Sequence, residues 1–223
     1  QSSTARAYCR GSYWSYNYCM YSGAVFSYQL LKLPLLSRFQ YTLKVDTDIK
    51  MIRRTGDLAS ALAKQGNPHV AHTALHTETD HTCRNADRSA GTCSCHRGIH
   101  AALSSFLQSS PRAAALSSQY AWCSPDQLGR SYFYGNFVAF STAFLLSERV
   151  QRLSTYLYHH EWRGYFEYRW TDQAAYMAFV CYALDVPELK NGSSILSMHR
   201  MRQSKFVHER NDAFRTVTQH QKT

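Results

Sequence analysis

β-Prone runs alternate with helix-prone runs along this chain, and that alternation restricts the fold more than any other feature. Tyr41-Thr42-Leu43-Lys44-Val45 alternates with the two-residue period of a strand and stops at Asp46. Asp57 then precedes Leu58-Ala59-Ser60-Ala61-Leu62-Ala63-Lys64, a short helix with an aspartate N-cap and Gly66 beyond its end. Residues 69–76 read as another strand and 137–144 as a buried one. Ser147 is placed to cap a helix running to about His159, and Asp172 starts a strongly apolar helix through Leu184 that Pro187 halts. Tyr28 to Leu36 reads as a shorter helix with Pro34 near its end. Strands and helices in this order predict an α/β domain built on a mixed sheet flanked by helices.

Two stretches break the pattern. Between 77 and 118 Ser, Thr, Ala, Arg, His and Cys dominate and hydrophobic periodicity fades, which predicts a loop insertion, helical around 99–107. Residues 205–223 are polar and predict a C-terminal tail, leaving 1–204 as one domain. A chain of 223 residues is long enough to bury one substantial core. It opens at Gln1 and has no apolar stretch near the ~20 residues that span a bilayer, so it reads as a mature piece or fragment.

The formal charge is +10, yet the basic residues are scattered, with the densest group at Arg200, Arg202, Lys205 and Arg210. No long basic run or RNA-binding signature appears, so nucleic acid is not the expected partner. Seven cysteines permit disulfides plus a free thiol without revealing the pairing. The sequon Asn191-Gly192-Ser193 is compatible with a secretory compartment.

Three places carry candidate chemistry. In Lys44-Val45-Asp46-Thr47-Asp48 a strand delivers Asp46 to the sheet edge, and the turn after it brings Asp48 to the same side. In open α/β sheets ligands sit beyond the carboxyl ends of strands, which is where Asp46 falls. The two carboxylates supply hard oxygens for Mn²⁺ or another divalent cation, whose other positions take diphosphate oxygens. A phosphoryl-transfer palm also uses paired aspartates and is the rival reading. The second place is Tyr168-Arg169-Trp170-Thr171-Asp172, where a cation, an indole and a carboxylate meet at a helix start. Asp172 either accepts bonds from sugar hydroxyls or caps the helix, and Trp170 either packs on a sugar ring or belongs to the core. The third is His199, after the possible strand Ile195-Leu196-Ser197-Met198, where an imidazole completes a metal shell or simply lies at the surface.

The order of these segments resembles glycosyltransferase family 15, the fungal α-1,2-mannosyltransferases. Tyr18-Cys19-Met20-Tyr21-Ser22-Gly23 is similar to that family's Cys-Arg-aromatic-x-Ser-Gly segment. Tyr41 to Lys50 is similar to its Tyr-x-x-x-x-Val-Glu-Pro-Asp-Val segment, and Phe133-Tyr134-Gly135-Asn136-Phe137 to its aromatic Asn-Phe segment. Glu167-Tyr168-Arg169-Trp170-Thr171-Asp172 is similar to its Glu-Arg-Trp-Gly-Asp, and Met198-His199 stands where it has Tyr-His. The resemblance implies a GT-A-like fold, a Mn²⁺-bound GDP-mannose donor, a mannose-containing glycan or glycoprotein acceptor and retention of configuration. It implies a Golgi-lumen enzyme with an N-terminal membrane anchor, of which 1–204 is a partial catalytic domain lacking the first nucleotide-binding strand. By the same carry-over Asp46, Asp48 and His199 hold the metal, and Tyr18, Tyr21, Asp46 and Trp170 serve the donor. Asp172 lies near the transferred sugar, and Arg169 pairs with Asp172 or the diphosphate.

The departures have chemical content. Glu-Pro-Asp is here Asp46-Thr47-Asp48, Met20 replaces an arginine, and Val138 stands where the family carries a glutamate proposed as nucleophile. Covalent double displacement through that position is then unavailable, which leaves a front-face route or an inactive glycan-binding relative.

Overall fold

The computed structural model describes residues 20–46, 49–51, 57–73, 75–77, 99–108, 123, 131–133, 137–160, 164–167, 170–183, 195–198 and 206–208. Its strands are β1 (Tyr41–Val45), β2 (Ile49–Met51), β3 (Val70–His72), β4 (Leu75–Thr77), β5 (Ser131–Phe133), β6 (Phe137–Ser141), β7 (Ile195–Ser197) and β8 (Phe206–His208). Its α-helices are α1 (Leu58–Lys64), α2 (Ile99–Gln108), α3 (Thr142–Leu145), α4 (Glu148–His159), α5 (Gly164–Glu167) and α6 (Asp172–Ala183). A π-helical segment, Met20–Gln29, and two 3₁₀ segments, Leu30–Lys32 and Pro34–Arg38, precede β1.

The main sheet has the order β1-β6-β3-β7. β6 is antiparallel to both β1 and β3, whereas β3 and β7 run parallel, so the sheet is mixed as expected. Side-chain alternation sorts its two faces. Val70, Val138 and Phe140 join the large core with α2, α4, α6 and the π-helical segment. Ala71, Phe137 and Ala139 join Leu62 of α1 and Met198 in a smaller one on the opposite face. Helices therefore cover both faces of the sheet.

Local signals account for most helix starts. Asp57 accepts from the Ser60 amide at the head of α1, and the Ser147 hydroxyl accepts from the Val150 amide at the head of α4. α4 buries Val150, Leu153, Ser154 and Leu157, the stripe of an amphipathic helix, while α6 is buried nearly all round. A disulfide joins Cys181 of α6 to Cys123, with Cα atoms 5.4 Å apart.

Several boundaries differ from expectation. Helical structure before β1 begins at Met20, and Pro34 starts a 3₁₀ turn because its fixed φ and missing N–H suit a first helical position. The strand expected over 137–144 ends at Ser141, where the chain turns into α3. The strand expected over 69–76 is two short strands in different sheets, β4 pairing with β5. The stretch expected as a polar tail contains β8, which pairs antiparallel with β2. Within 77–118 the helix appears at 99–108, and most of the expected insertion lies outside the described residues.

Candidate active site at the end of strand β1

Strand β1 reverses the usual relation between polarity and burial. Its apolar residues Leu43 and Val45 are 42% and 40% exposed, whereas the Lys44 side chain, on the other face, keeps only 9% of its surface. Thr42 thus points toward the start of α3 and Lys44 toward the start of α6. Thr42 Oγ1 lies 3.0 Å from Thr142 Oγ1. The Lys44 ammonium donates to Asp46 Oδ1 at 2.5 Å and lies 3.2 Å from Asp172 Oδ2. It also stands 5.7 Å from the Phe26 ring centroid. The contact to Asp172 is an ion pair without a well-directed hydrogen bond, since Oδ2 accepts none.

Asp172 is the first residue of α6, where the Thr171 carbonyl already accepts from the Ala175 amide at 3.2 Å. An anion at a helix N-terminus is favoured by the peptide dipoles, and the Gln173 amide assists. The residue is nonetheless 2% exposed. Burial is the largest influence on its carboxyl and pushes it up to about 6, against the opposing attraction of Lys44. For Lys44, burial acts to lower the ammonium, but Asp172 and Asp46 together outweigh it and the net direction is up. The nearby Tyr165 and Tyr176 phenols are also raised, chiefly by burial and further by the charge of Asp172. Among the described residues the corner brings two carboxylates, one buried and one partly exposed, to one buried ammonium.

Of the predicted site residues, Asp46 and Asp172 are brought together, with Lys44 between them. Asp46 keeps a third of its side-chain surface, so a hard carboxylate oxygen at a strand end is offered outward. An oxygen of this kind suits a hard divalent cation, and here it carries the Lys44 ammonium. Among the described residues no three His, Cys, Asp or Glu side chains gather as a metal shell. Asp48, His199, Arg169 and Tyr18 lie outside the described residues. Tyr21 is 63% exposed and accessible to a ligand.

Trp170, read either as a sugar-packing side chain or as core, has no exposed surface. Its amide donates to the Gly164 carbonyl at 3.1 Å, and its indole lies beside Tyr165 and His160. A Cβ on Gly164 would sit 2.0 Å from an indole carbon, and one on Gly23 would sit 2.3 Å from the Trp170 carbonyl oxygen. Glycine at 164 lets the chain close on the ring, and glycine at 23 lets it close on the Trp170 backbone. Asp172, at 2% exposure, likewise faces protein rather than open solvent. Val138 has no exposed surface, and its register partners are Lys44 on one side and His72 on the other.

Sequence reasoning missed Lys44. On β1, Tyr41 packs against the smaller core, whereas Leu43 and Val45 on the same face are left half-exposed and Lys44 is the buried side chain opposite them. A lysine two residues before an aspartate, on the same side of an extended chain, was the available signal.

No protein-family model and no curated protein matches the chain. Solved structures do. The mannosyltransferase Ktr4p from S. cerevisiae in complex with GDP superimposes with a TM-score of 0.54 and 17% identity over 77% of this chain and 42% of that one. Another structure of Ktr4p gives 0.55 and 18% over 84% and 45%. Core-mannan synthase A from Aspergillus fumigatus, in a Mn/GDP form, gives 0.56 and 15% over 77% and 45%. At such identities the likeness is one of fold, and this chain spans less than half the length of the structures it matches.

Proposed function

We propose that the chain forms part of a metal-dependent glycosyltransferase that moves a hexose, mannose from GDP-mannose, onto a mannose-containing glycan or glycoprotein with retention of configuration. The observation that supports this most directly is Asp46 at the carboxyl end of β1, coupled through Lys44 to Asp172, in a fold shared with mannosyltransferases solved with GDP or with Mn and GDP.

In this reading Asp46, Asp48 and His199 hold the divalent cation, of which Asp46 alone is among the described residues. When bound, the cation neutralises charge on the departing nucleoside diphosphate. The chain's own residues set the rest. Lys44 holds Asp46 in place and counters the charge of Asp172. Tyr21 and Tyr18 serve the donor from the segment before β1, and Arg169 pairs with the diphosphate. Asp172 acts as the buried anchor of Lys44 and orients sugar hydroxyls through it. Val138, an alkyl side chain on the buried face beside Lys44, offers no nucleophile. Retention then proceeds on one face of the sugar, with a diphosphate oxygen of the donor taking the acceptor proton.

A disulfide between Cys123 and Cys181 and the sequon at Asn191 support a secretory-pathway lumen, the Golgi in our reading. Membrane attachment follows from the resemblance alone. Among the described residues no helix is long and apolar enough to cross a membrane.

Release of GDP from GDP-mannose, measured with an oligomannose acceptor in Mn²⁺ and then in excess chelator, tests the assignment. Turnover is expected to need the cation and to fall at least a hundredfold in Asp46→Asn and Asp48→Asn. Undiminished turnover in those variants removes both residues from the mechanism. Val138 favours a second reading, a glycan-binding relative without activity. Donor-dependent thermal stabilisation with no GDP release selects it.

A further inference from the structure

We infer that the segment Leu30–Phe39 is a membrane-contact surface, seating exposed leucine and phenylalanine side chains in the headgroup region of an anionic bilayer. The contact is peripheral, needs no spanning helix, and holds whether or not the chain turns over a sugar nucleotide.

The segment is apolar on both of its sides. Leu31 is buried in the large core and Leu36 packs partly buried against it, which ties the two 3₁₀ turns to the body of the protein. Outward, Leu33, Leu35 and Phe39 keep 46%, 55% and 56% of their surface, and Pro34 between the leucines is exposed as well. A surface segment ordinarily turns a polar side to water, so an outward apolar run marks a binding surface.

Charge identifies what that surface meets. Residues 1–45 hold five basic side chains and no Asp or Glu. Of the five, Lys32 and Arg38 bracket the outward leucines and are themselves exposed. Lys32 donates to the neutral Gln151 and Thr155 side chains, so its charge is not cancelled there. Among the described residues neither cation forms an ion pair. Apolar side chains flanked by cations suit the boundary between acyl chains and anionic headgroups. A second copy of the chain, itself at +10, would bring like charge to the same place. Nucleic acid would answer the cations and leave the leucines in water. Strand β1 then separates this surface from Asp46 by about 17 Å, so the contact does not draw on the candidate active site.

Flotation of the full chain with lipid vesicles tests this. Binding is expected to vesicles of equal parts phosphatidylcholine and phosphatidylglycerol, and about tenfold weaker binding to phosphatidylcholine alone. Leu33→Ala/Leu35→Ala/Phe39→Ala keeps every charge, so attraction by net charge alone predicts unchanged binding. Insertion predicts affinity about tenfold weaker in this variant. Lys32→Gln/Arg38→Gln should weaken binding about tenfold as well. Loss in both variants supports the inference, and undiminished binding in either overturns it. Should the triple variant fail to fold, amide hydrogen exchange of the unaltered protein with and without the mixed vesicles decides. Slower exchange within Leu30–Phe39 is expected, and exchange there that the vesicles leave unchanged overturns the proposal. Absence of flotation by the unaltered protein overturns it outright, and a dimer dissolved by the triple substitution would then assign the segment to a second copy.

Discussion

Two corners meet at the start of α6, and they are held by different forces. At Trp170 the chain closes by shape: Gly164 and Tyr165 lie against an indole with no exposed surface, and Gly23 packs on the Trp170 carbonyl. Two residues later, at Asp172, the chain closes by charge, with Lys44 joining a buried carboxylate to Asp46. Dispersion and apolar burial reward any close fit, so the first corner is robust and indifferent to pH. Buried charge is costly unless paired, so the second is sensitive to protonation and to any ion that competes for its partners. The contrast teaches which side of the helix start is scaffold and which is a site. A position kept polar where packing would be more stable is where function is sought.

Substitutions at the indole corner should have the largest effect. Trp170→Ala leaves a cavity inside a closed ring of contacts and should cost about 4 kcal/mol, the same at pH 5 and pH 7.5. Denaturant unfolding at the two pH values checks this, and a pH-dependent loss breaks the distinction between the corners. Gly164→Ala should destabilise by about 3 kcal/mol, because the backbone must move to admit the methyl group.

Lys44→Met comes next and should cost about 3 kcal/mol at pH 7.5, since it leaves Asp172 buried without its cation. The loss should shrink below pH 5, where Asp172 is protonated in the folded protein. A cost equal at both pH values would make Lys44 a packing residue.

The unaltered protein should carry a related signature. Asp172 is raised to about 6 in the folded state, so between roughly pH 4 and 6 the folded protein binds the proton more tightly than the unfolded chain. Stability from this group is therefore present at low pH and lost as pH rises through that window. The difference amounts to about 3 kcal/mol. Subtracting the unfolding profile of Asp172→Asn isolates it, and the opposite slope would mean that Lys44 dominates over burial. The smallest effect is expected at Ser147→Ala, about 1 kcal/mol from a lost N-cap, read from the thermal midpoint.

Features legible in the sequence were those written within a few residues. Asp57 and Ser147 announced α1 and α4, because a cap acts over three residues. The alternation of 41–45 announced β1 and its end at Asp46, and the apolar run after Thr171 announced α6. The mixed sheet followed from the order of these elements. The break at Ser141 was less legible, because Phe140 to Phe144 is apolar in strand and helix alike.

What the sequence by itself determined, then, is the succession of elements, the helix caps and the placement of an aspartate at a strand end. Tertiary structure alone decided that β1 turns Lys44 inward and leaves Leu43 and Val45 half-exposed. It also decided that Cys123 joins Cys181, and that Trp170 lies inside. The physical reason is range. Caps and periodicity act between neighbours, whereas the face a strand buries depends on which helix packs against it. For β1 the partner of the inward lysine is the carboxylate of Asp172, far along the chain.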